Sequence, residues 1–355
     1  MSRLRIDGML DPHVHLRGLQ WSHKGTFASE TAAAVAGGYW AVLDMPNTLP
    51  STVNATALAH KRNEISRQAV SDWGVYFGAT GQDNTAAFSS VVDQVCGLKI
   101  YNNATTGDLL VDDQTVRDQI YNVWPASKPI AVHAEGPTIL AILDLVRRHR
   151  KQTHFCHVSS AEEIGYLWAA KEEGLAVTVG VCPHHLFLTR DDLSALGPFG
   201  LMKPELKTAA DQEALWEALD AGVVDVIESD HAPHTIAEKQ AAAPPYGVPG
   251  LETTLPLLGL AVHQGRLDAG QIPFLVAEKP RKIFGLQAPP ETYTILDLDV
   301  PDIIDRQNLH THCGWSPFEG MQVFGKVREV WIRGQQVFDG EAVLVEPGYG
   351  RNVVT

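Results

Sequence analysis

Hydrophobic residues in this chain cluster into short unbroken runs, separated by longer stretches with one apolar and one polar face. The runs cover residues 9–15, 39–45, 73–79, 97–101, 130–134, 153–159, 176–182 and 224–230. Most are rich in Val and Ile and do not alternate with polar residues, as expected of strands covered on both faces of a parallel sheet. Between them, residues 26–36 are Ala-rich, and residues 54–68, 84–94, 136–150, 161–173 and 209–221 mix apolar with charged positions, which predicts helices. Strand and helix in alternation predict an α/β chain folded as a (β/α)8 TIM-type barrel over residues 8–290. An open doubly wound sheet is the alternative, but the first strand is not followed by a Gly-rich phosphate-binding turn. From about Glu291 the pattern changes. Residues 323–329, 330–337 and 342–345 read as short strands with residues 1–7 as a partner, predicting a small β-subdomain and extension from residues 1–7 and 291–355.

Composition narrows the function. A net charge of −14 over 355 residues disfavours nucleic acid or an anionic membrane as partner. No run approaches the length of a membrane span, and the N-terminus has no apolar signal region, so a cytoplasmic location is expected. The four cysteines, Cys96, Cys156, Cys182 and Cys313, form no CxxC pair and suggest no disulfide framework.

Barrel enzymes carry their chemistry at the C-terminal ends of the strands. There this chain sets His13 and His15 on strand one, Lys99 on strand four, His133 on five, His157 on six and Asp230 on eight. Two histidines two apart on a strand share a face. Alone they would as often be a solvated pair, and a lone His133 or His157 would more often be a satisfied core residue. Six metal-compatible groups converging on one mouth are a different matter. His154 has the wrong parity and reads as structural. A lysine in the apolar run 97–101 is costly as an unpaired ammonium, and a snorkelling stem is its ordinary explanation. Carboxylated by CO2 on its amine, Lys99 becomes an anion that can bridge two metals. The expected centre is therefore two zinc ions: one on His13, His15, Asp230 and the Lys99 carbamate, the other on His133, His157 and the same carbamate. A hydroxide between them would be the nucleophile, and Asp230 would take its proton and pass it to a leaving nitrogen. Arg17, Asn47 and His234 lie just past strand ends and suit the carboxylate of a small anionic substrate.

These motifs resemble the dihydroorotases of the amidohydrolase superfamily, especially the dihydroorotase domain of the multifunctional animal pyrimidine-synthesis protein. The resemblance spans nearly the whole chain. It is carried by residues 11–17, 45–48, 97–101, 132–135, 156–158, 183–188, 229–235, 249–253 and 315–320, with Ser-Asp-His-Ala-Pro-His and Gly-Leu-Lys most specific in combination. It implies the same six metal ligands, carboxylate binding by Arg17, Asn47 and His234, and backbone contacts from Pro249 and Gly250. It also implies a loop after Lys99 that closes over substrate through Thr105 or Thr106. The implied reaction interconverts N-carbamoyl-L-aspartate and L-dihydroorotate in pyrimidine biosynthesis. Where the animal domain has a glutamate linked to an extra zinc, this chain has Gly180, so two metals are expected rather than three.

Two other readings compete. A related cyclic amidase acting on hydantoins, dihydropyrimidines or allantoin would leave the Arg17/Asn47/His234 trio without a purpose. An inactive dihydroorotase-like scaffold for aspartate transcarbamoylase would typically have lost metal ligands, and all six are present. Self-association or docking to an aspartate transcarbamoylase is compatible with the chain.

Overall fold

The computed structural model describes residues 3–354. All eight apolar runs contain barrel strands: β2 (Leu10–Val14), β3 (Ala41–Asp44), β4 (Asp72–Gly78), β5 (Gly97–Tyr101), β6 (Ile130–His133), β7 (Thr153–Phe155), β8 (Val177–Val181) and β9 (Val226–Ile227). They pair in parallel and in chain order. A Val14–His231 bridge, with the His15 amide donating to the His231 carbonyl at 2.7 Å, joins last strand to first and closes the barrel. Every residue of β2 to β7 and β9 is buried, which accounts for the unbroken apolar runs.

The helices begin where side chains satisfy free amides. Thr26, Ser160 and Thr208 form capping boxes with Ser29, Glu163 and Asp211. The helix expected over residues 84–94 is instead a 3-10 turn (Thr85–Ala87), a single α turn (Phe88–Val91) and another 3-10 turn (Val92–Gln94). Asn84 does not cap it: its side chain donates to the Val53 and Gly78 carbonyls. Among the described residues, no helix is long and apolar enough to cross a membrane.

Both ends of the chain build one antiparallel sheet in the order β1 (Arg3–Asp7), β10 (Tyr293–Ile303), β11 (Gln322–Ile332), β12 (Gln335–Phe338). Met1 and Ser2 of the expected first strand lie outside the described residues. The two strands expected over 323–337 divide differently. β11 runs unbroken to Ile332, and the turn falls at Arg333 and Gly334, both at positive φ, as a two-residue hairpin requires. Residues 342–345 make one bridge, Val343 to Phe338, rather than a strand. Helix Thr254–His263 packs on β11 so closely that a Cβ at Gly259 would sit 2.0 Å from the Phe324 carbonyl oxygen.

Asp72 fastens the tail to the barrel. Its buried carboxylate accepts from Trp40 Nε1 (2.7 Å), from Arg333 Nη1 (2.5 and 2.7 Å) and from the Arg351 amide (2.8 Å). Removing one partner of a buried charged pair strands the other. Asp72→Ala should therefore lower stability by about 3 kcal/mol, read as an earlier urea midpoint, and an unchanged midpoint would dismiss Asp72 as the fastening point.

Candidate metal centre

At the C-terminal mouth of the barrel, His13 Nε2 and His15 Nε2 face the same oxygen of Asp230, at 3.3 and 3.2 Å. His133 Nδ1 lies 3.0 Å from His157 Nε2, and the His13 and His157 rings are 5.1 Å apart. Burial pushes the His13, His15 and His157 imidazoles below their usual range. The charge of Lys99 adds to this at all three, as does that of Arg17 at His15. The three rings are therefore neutral and offer lone pairs. His13 Nδ1 and His157 Nδ1 are buried without a hydrogen-bond partner. Donor atoms of His13, His157 and Asp230 all fall within 4.8 Å of one another. Neutral imidazoles with a carboxylate form a donor set that fits a divalent transition metal.

Lys99 is fully buried in β5. Its Nζ lies 3.3 Å from Cys156 Sγ and 5.1 Å from the centre of the Tyr101 ring. Among the described residues no carboxylate forms an ion pair with it. Burial raises the Asp230 carboxyl to about 7, with Glu228 adding and Lys99, His133 and Arg17 opposing.

The strands expected to end in His157 and Asp230 stop earlier, and both residues sit in the left-handed region (φ 40° and 44°), as does Arg17 (φ 61°). Such conformations persist when the surroundings enforce them. Buried Glu228 does much of this: one oxygen accepts from the His157 amide at 2.7 Å, and the other faces His154 Nε2 at 3.0 Å. His154 thus serves as a structural link, its other nitrogen on Thr178. A Cβ at Gly180 would lie 2.5 Å from Glu228 Oε1, so glycine leaves the room this carboxylate occupies. Sequence reasoning passed over Glu228, although a glutamate ending an apolar run beside Ser229-Asp230 was a usable signal.

A second overlooked support is the fully buried Asp44–Lys61 ion pair at 2.6 Å. Asp44 Oδ1 accepts from the Leu16 amide, between His15 and Arg17, and Lys61 donates to the Met45 carbonyl.

The expected anion-binding residues share this mouth. Arg17 is buried, donates from Nε to the Pro233 carbonyl at 3.0 Å and sets Nη2 3.1 Å from His234 Nε2. Burial pushes the His234 imidazole far down, and Arg17, Lys24 and Lys239 add to the effect. Asn47 Oδ1 lies 2.8 Å from His15 Nδ1, and its amide donates to the Thr106 carbonyl at 3.0 Å. Thr105 and Thr106 lie over the centre, the Thr106 hydroxyl reaching the Tyr246 carbonyl at 3.4 Å. What remains beneath is a cavity of about 30 Å3, room for roughly one water. Pro249 and Gly250 do not line it. Gly250 donates its amide to His231 Nδ1 at 3.2 Å, and Tyr246 and Gly247 line the cavity instead. The Gly250 N–H is therefore engaged within the protein.

Breaking the Asp44–Lys61 pair leaves an uncompensated buried carboxylate. Lys61→Met should cost about 3–5 kcal/mol in urea unfolding, and adding Asp44→Asn should recover part of it. An unchanged midpoint in the single variant would remove the pair from the account of how Leu16 and its neighbours are held.

No protein-family model matches the chain. It is 42% identical over 351 residues to the multifunctional protein CAD of Squalus acanthias; the match covers 99% of this chain but 16% of that one. It is 35% identical to a dihydroorotase of Halobacterium salinarum, covering 98% of this chain and 89% of that protein. Among solved structures, the L-hydantoinase of Arthrobacter aurescens superposes with a TM-score of 0.94 at 26% identity, covering 99% of this chain and 89% of that one. The chain thus spans about a sixth of the multifunctional relative yet nearly all of the separate enzyme, and with that extent of identity it belongs to the dihydroorotase family.

Proposed function

We propose that this chain is a dihydroorotase, a cyclic amide hydrolase that interconverts N-carbamoyl-L-aspartate and L-dihydroorotate. The observation that carries this reading is the pairing of a metal-competent mouth with a buried arginine beside it. Arg17 is 2% exposed and its near neighbour Nη2···Nε2 is a neutral imidazole, so its charge awaits an anion. Bidentate recognition suits a carboxylate. Asn47 and His234 extend the same wall.

The residues that would hold metal are His13, His15, His133, His157, Asp230 and carboxylated Lys99, for two zinc ions. What supports the carboxylation is electrostatic. As an ammonium, Lys99 opposes every metal ion held by the rings around it; as a carbamate, it contributes negative charge at the same place. When bound, the metal pair supplies Lewis-acid polarisation of the amide carbonyl and a water acidified enough to attack at neutral pH.

The chain's own groups do the rest. Arg17, Asn47 and His234 fix the substrate carboxylate and so set the ring in one orientation. In the hydrolytic direction, Asp230 takes the proton of the attacking water. It then delivers that proton to the ring nitrogen as the carbon–nitrogen bond breaks. In the reverse direction the ureido nitrogen forms that bond, and a carboxylate oxygen departs as water. Thr105 and Thr106 line the cavity at this mouth, where they would move aside to admit substrate, then return to exclude solvent and offer their hydroxyls.

The superposition on an L-hydantoinase favours a second reading, hydrolysis of a neutral cyclic amide. A neutral ring would leave buried Arg17 without an ion-pair partner. The resemblance to a multifunctional pyrimidine protein supports working in company with other enzymes of that route, aspartate transcarbamoylase among them.

Two outcomes are expected. Turnover of L-dihydroorotate should far exceed that of hydantoin or allantoin, and Arg17→Met should lose about 3 kcal/mol of transition-state stabilisation, on the order of 10²-fold in kcat/KM. Preference for the neutral rings would overturn the assignment. Separately, wild-type protein grown with 13C-bicarbonate should show a carbamate carbon by NMR, and Lys99→Ala should lack that signal together with its binuclear metal. Full metal content and activity in Lys99→Ala would sink the bridging role.

A further inference from the structure

Beyond the centre around Asp230, β8 is followed by Cys182 and then by a short helix, Pro183–Phe187, that carries His184 and His185. These three polar side chains are buried: Cys182 is 0%, His184 2% and His185 3% exposed. Each offers a donor atom, and the three atoms lie within 4.8 Å of one another. The two imidazoles meet edge to face, 4.4 Å between centres. His185 Nε2 lies 3.0 Å from the Pro204 carbonyl, which can only accept. The proton is therefore on Nε2, and Nδ1 carries a lone pair. That Nδ1 is buried with no partner, and so is His184 Nε2. No hydrogen bond engages Cys182 Sγ among the described residues. A buried imidazole nitrogen without a partner is costly whether it carries a lone pair or a proton, and two of them beside a thiol need a common explanation.

We infer that Cys182, His184 and His185 form a further binding site for a zinc-class transition metal, separate from the centre at Asp230. Donors around tetrahedral zinc stand roughly 3.3–3.8 Å apart, so a small inward adjustment of these side chains suffices. A backbone carbonyl holding the distal N–H of a ligand histidine is the usual outer support of such sites, and Pro204 supplies it for His185. Burial keeps both rings neutral, His185 at about 4. As the sulfur–metal bond forms, the thiol proton leaves to solvent. The thiolate–metal unit then carries one net positive charge. Burial, with Asp230, Glu228 and Asp11 adding, holds the free Cys182 thiol well above its usual range, so the sulfur ionises only as metal binds. The inference rests on these three residues and does not depend on the catalytic reading.

The test compares wild-type protein with Cys182→Ala, His185→Gln and Cys156→Ala, each loaded with Zn2+ or Co2+ and dialysed free of excess metal. Cys156 is included because it neighbours His13 and Glu228 and could itself bind metal. Elemental analysis should show Cys182→Ala and His185→Gln short of about one zinc equivalent each. Cys182→Ala should also lose the thiolate-to-cobalt charge-transfer band, while Cys156→Ala keeps both. Equal metal content and an unchanged band in Cys182→Ala would overturn the site, as would loss of the band in Cys156→Ala alone. Should the Cys182 variant fail to fold, zinc-edge X-ray absorption on folded Cys156→Ala decides the matter. A sulfur neighbour at about 2.3 Å supports the site, and a shell of nitrogen and oxygen only refutes it.

Discussion

Everything at the mouth depends on closing the barrel, and a single buried carboxylate sits at the seam. Asp11 accepts from the His13 amide at 3.0 Å with one oxygen and from the Ser229 amide at 3.1 Å with the other. The first barrel strand is thereby stapled to the end of the last, more than two hundred residues away. Burial raises the Asp11 carboxyl to about 7, which measures how unfavourable the location is for a charge. Two amide donors offset that cost only while the strands are in register. His13, His15 and Asp230 can share one spot because this seam holds.

Around the seam the fold manages charge in a consistent way. Groups meant to donate lone pairs are kept neutral by burial. Groups that must stay charged are given partners behind the site: Asp44 has Lys61, Asp72 has Arg333, and Glu30 receives the His231 ring at 2.7 Å together with Thr311 and the His312 amide. The Glu30 contacts tie the first barrel helix and the tail to the residue following Asp230. Lys99 and Arg17 stand apart from this scheme. Both are buried cations that form no ion pair among the described residues; Arg17 lines the small cavity, while Lys99 Nζ lies against Cys156 Sγ. Carboxylation in one case and a substrate carboxylate in the other would resolve the imbalance.

Much of this was legible in the chain because burial on both faces erases alternation and leaves unbroken apolar runs. That is why eight strands and five of the longer helices follow from the pattern, and why metal-ligating residue types at the run ends stand out. Strand ends were less legible. His157 and Asp230 lie beyond their strands in left-handed conformations, and at His157 the backbone is held by Glu228, a partner that local sequence does not reveal. The tail is harder still: no distinctive run marks β10, and the hairpin turn at Arg333-Gly334 falls where the pattern predicts the interior of a strand.

By itself, the sequence determined the eight barrel strands, the helices over 26–36, 54–68, 136–150, 161–173 and 209–221, and the residue types at the strand ends that suit a metal, since these follow from residue type and local spacing. Only the tertiary structure decided which residues support them. Glu228, Asp44, Lys61 and Asp11 act across tens to hundreds of residues, and no local pattern encodes such partners. The tertiary structure also decided that Gly250 gives its amide to His231, and that Cys182 stands with His184 and His185 with His184 Nε2 and His185 Nδ1 left unpartnered. The physical reason is the same throughout: whether a buried polar group is satisfied depends on what the closed barrel places opposite it.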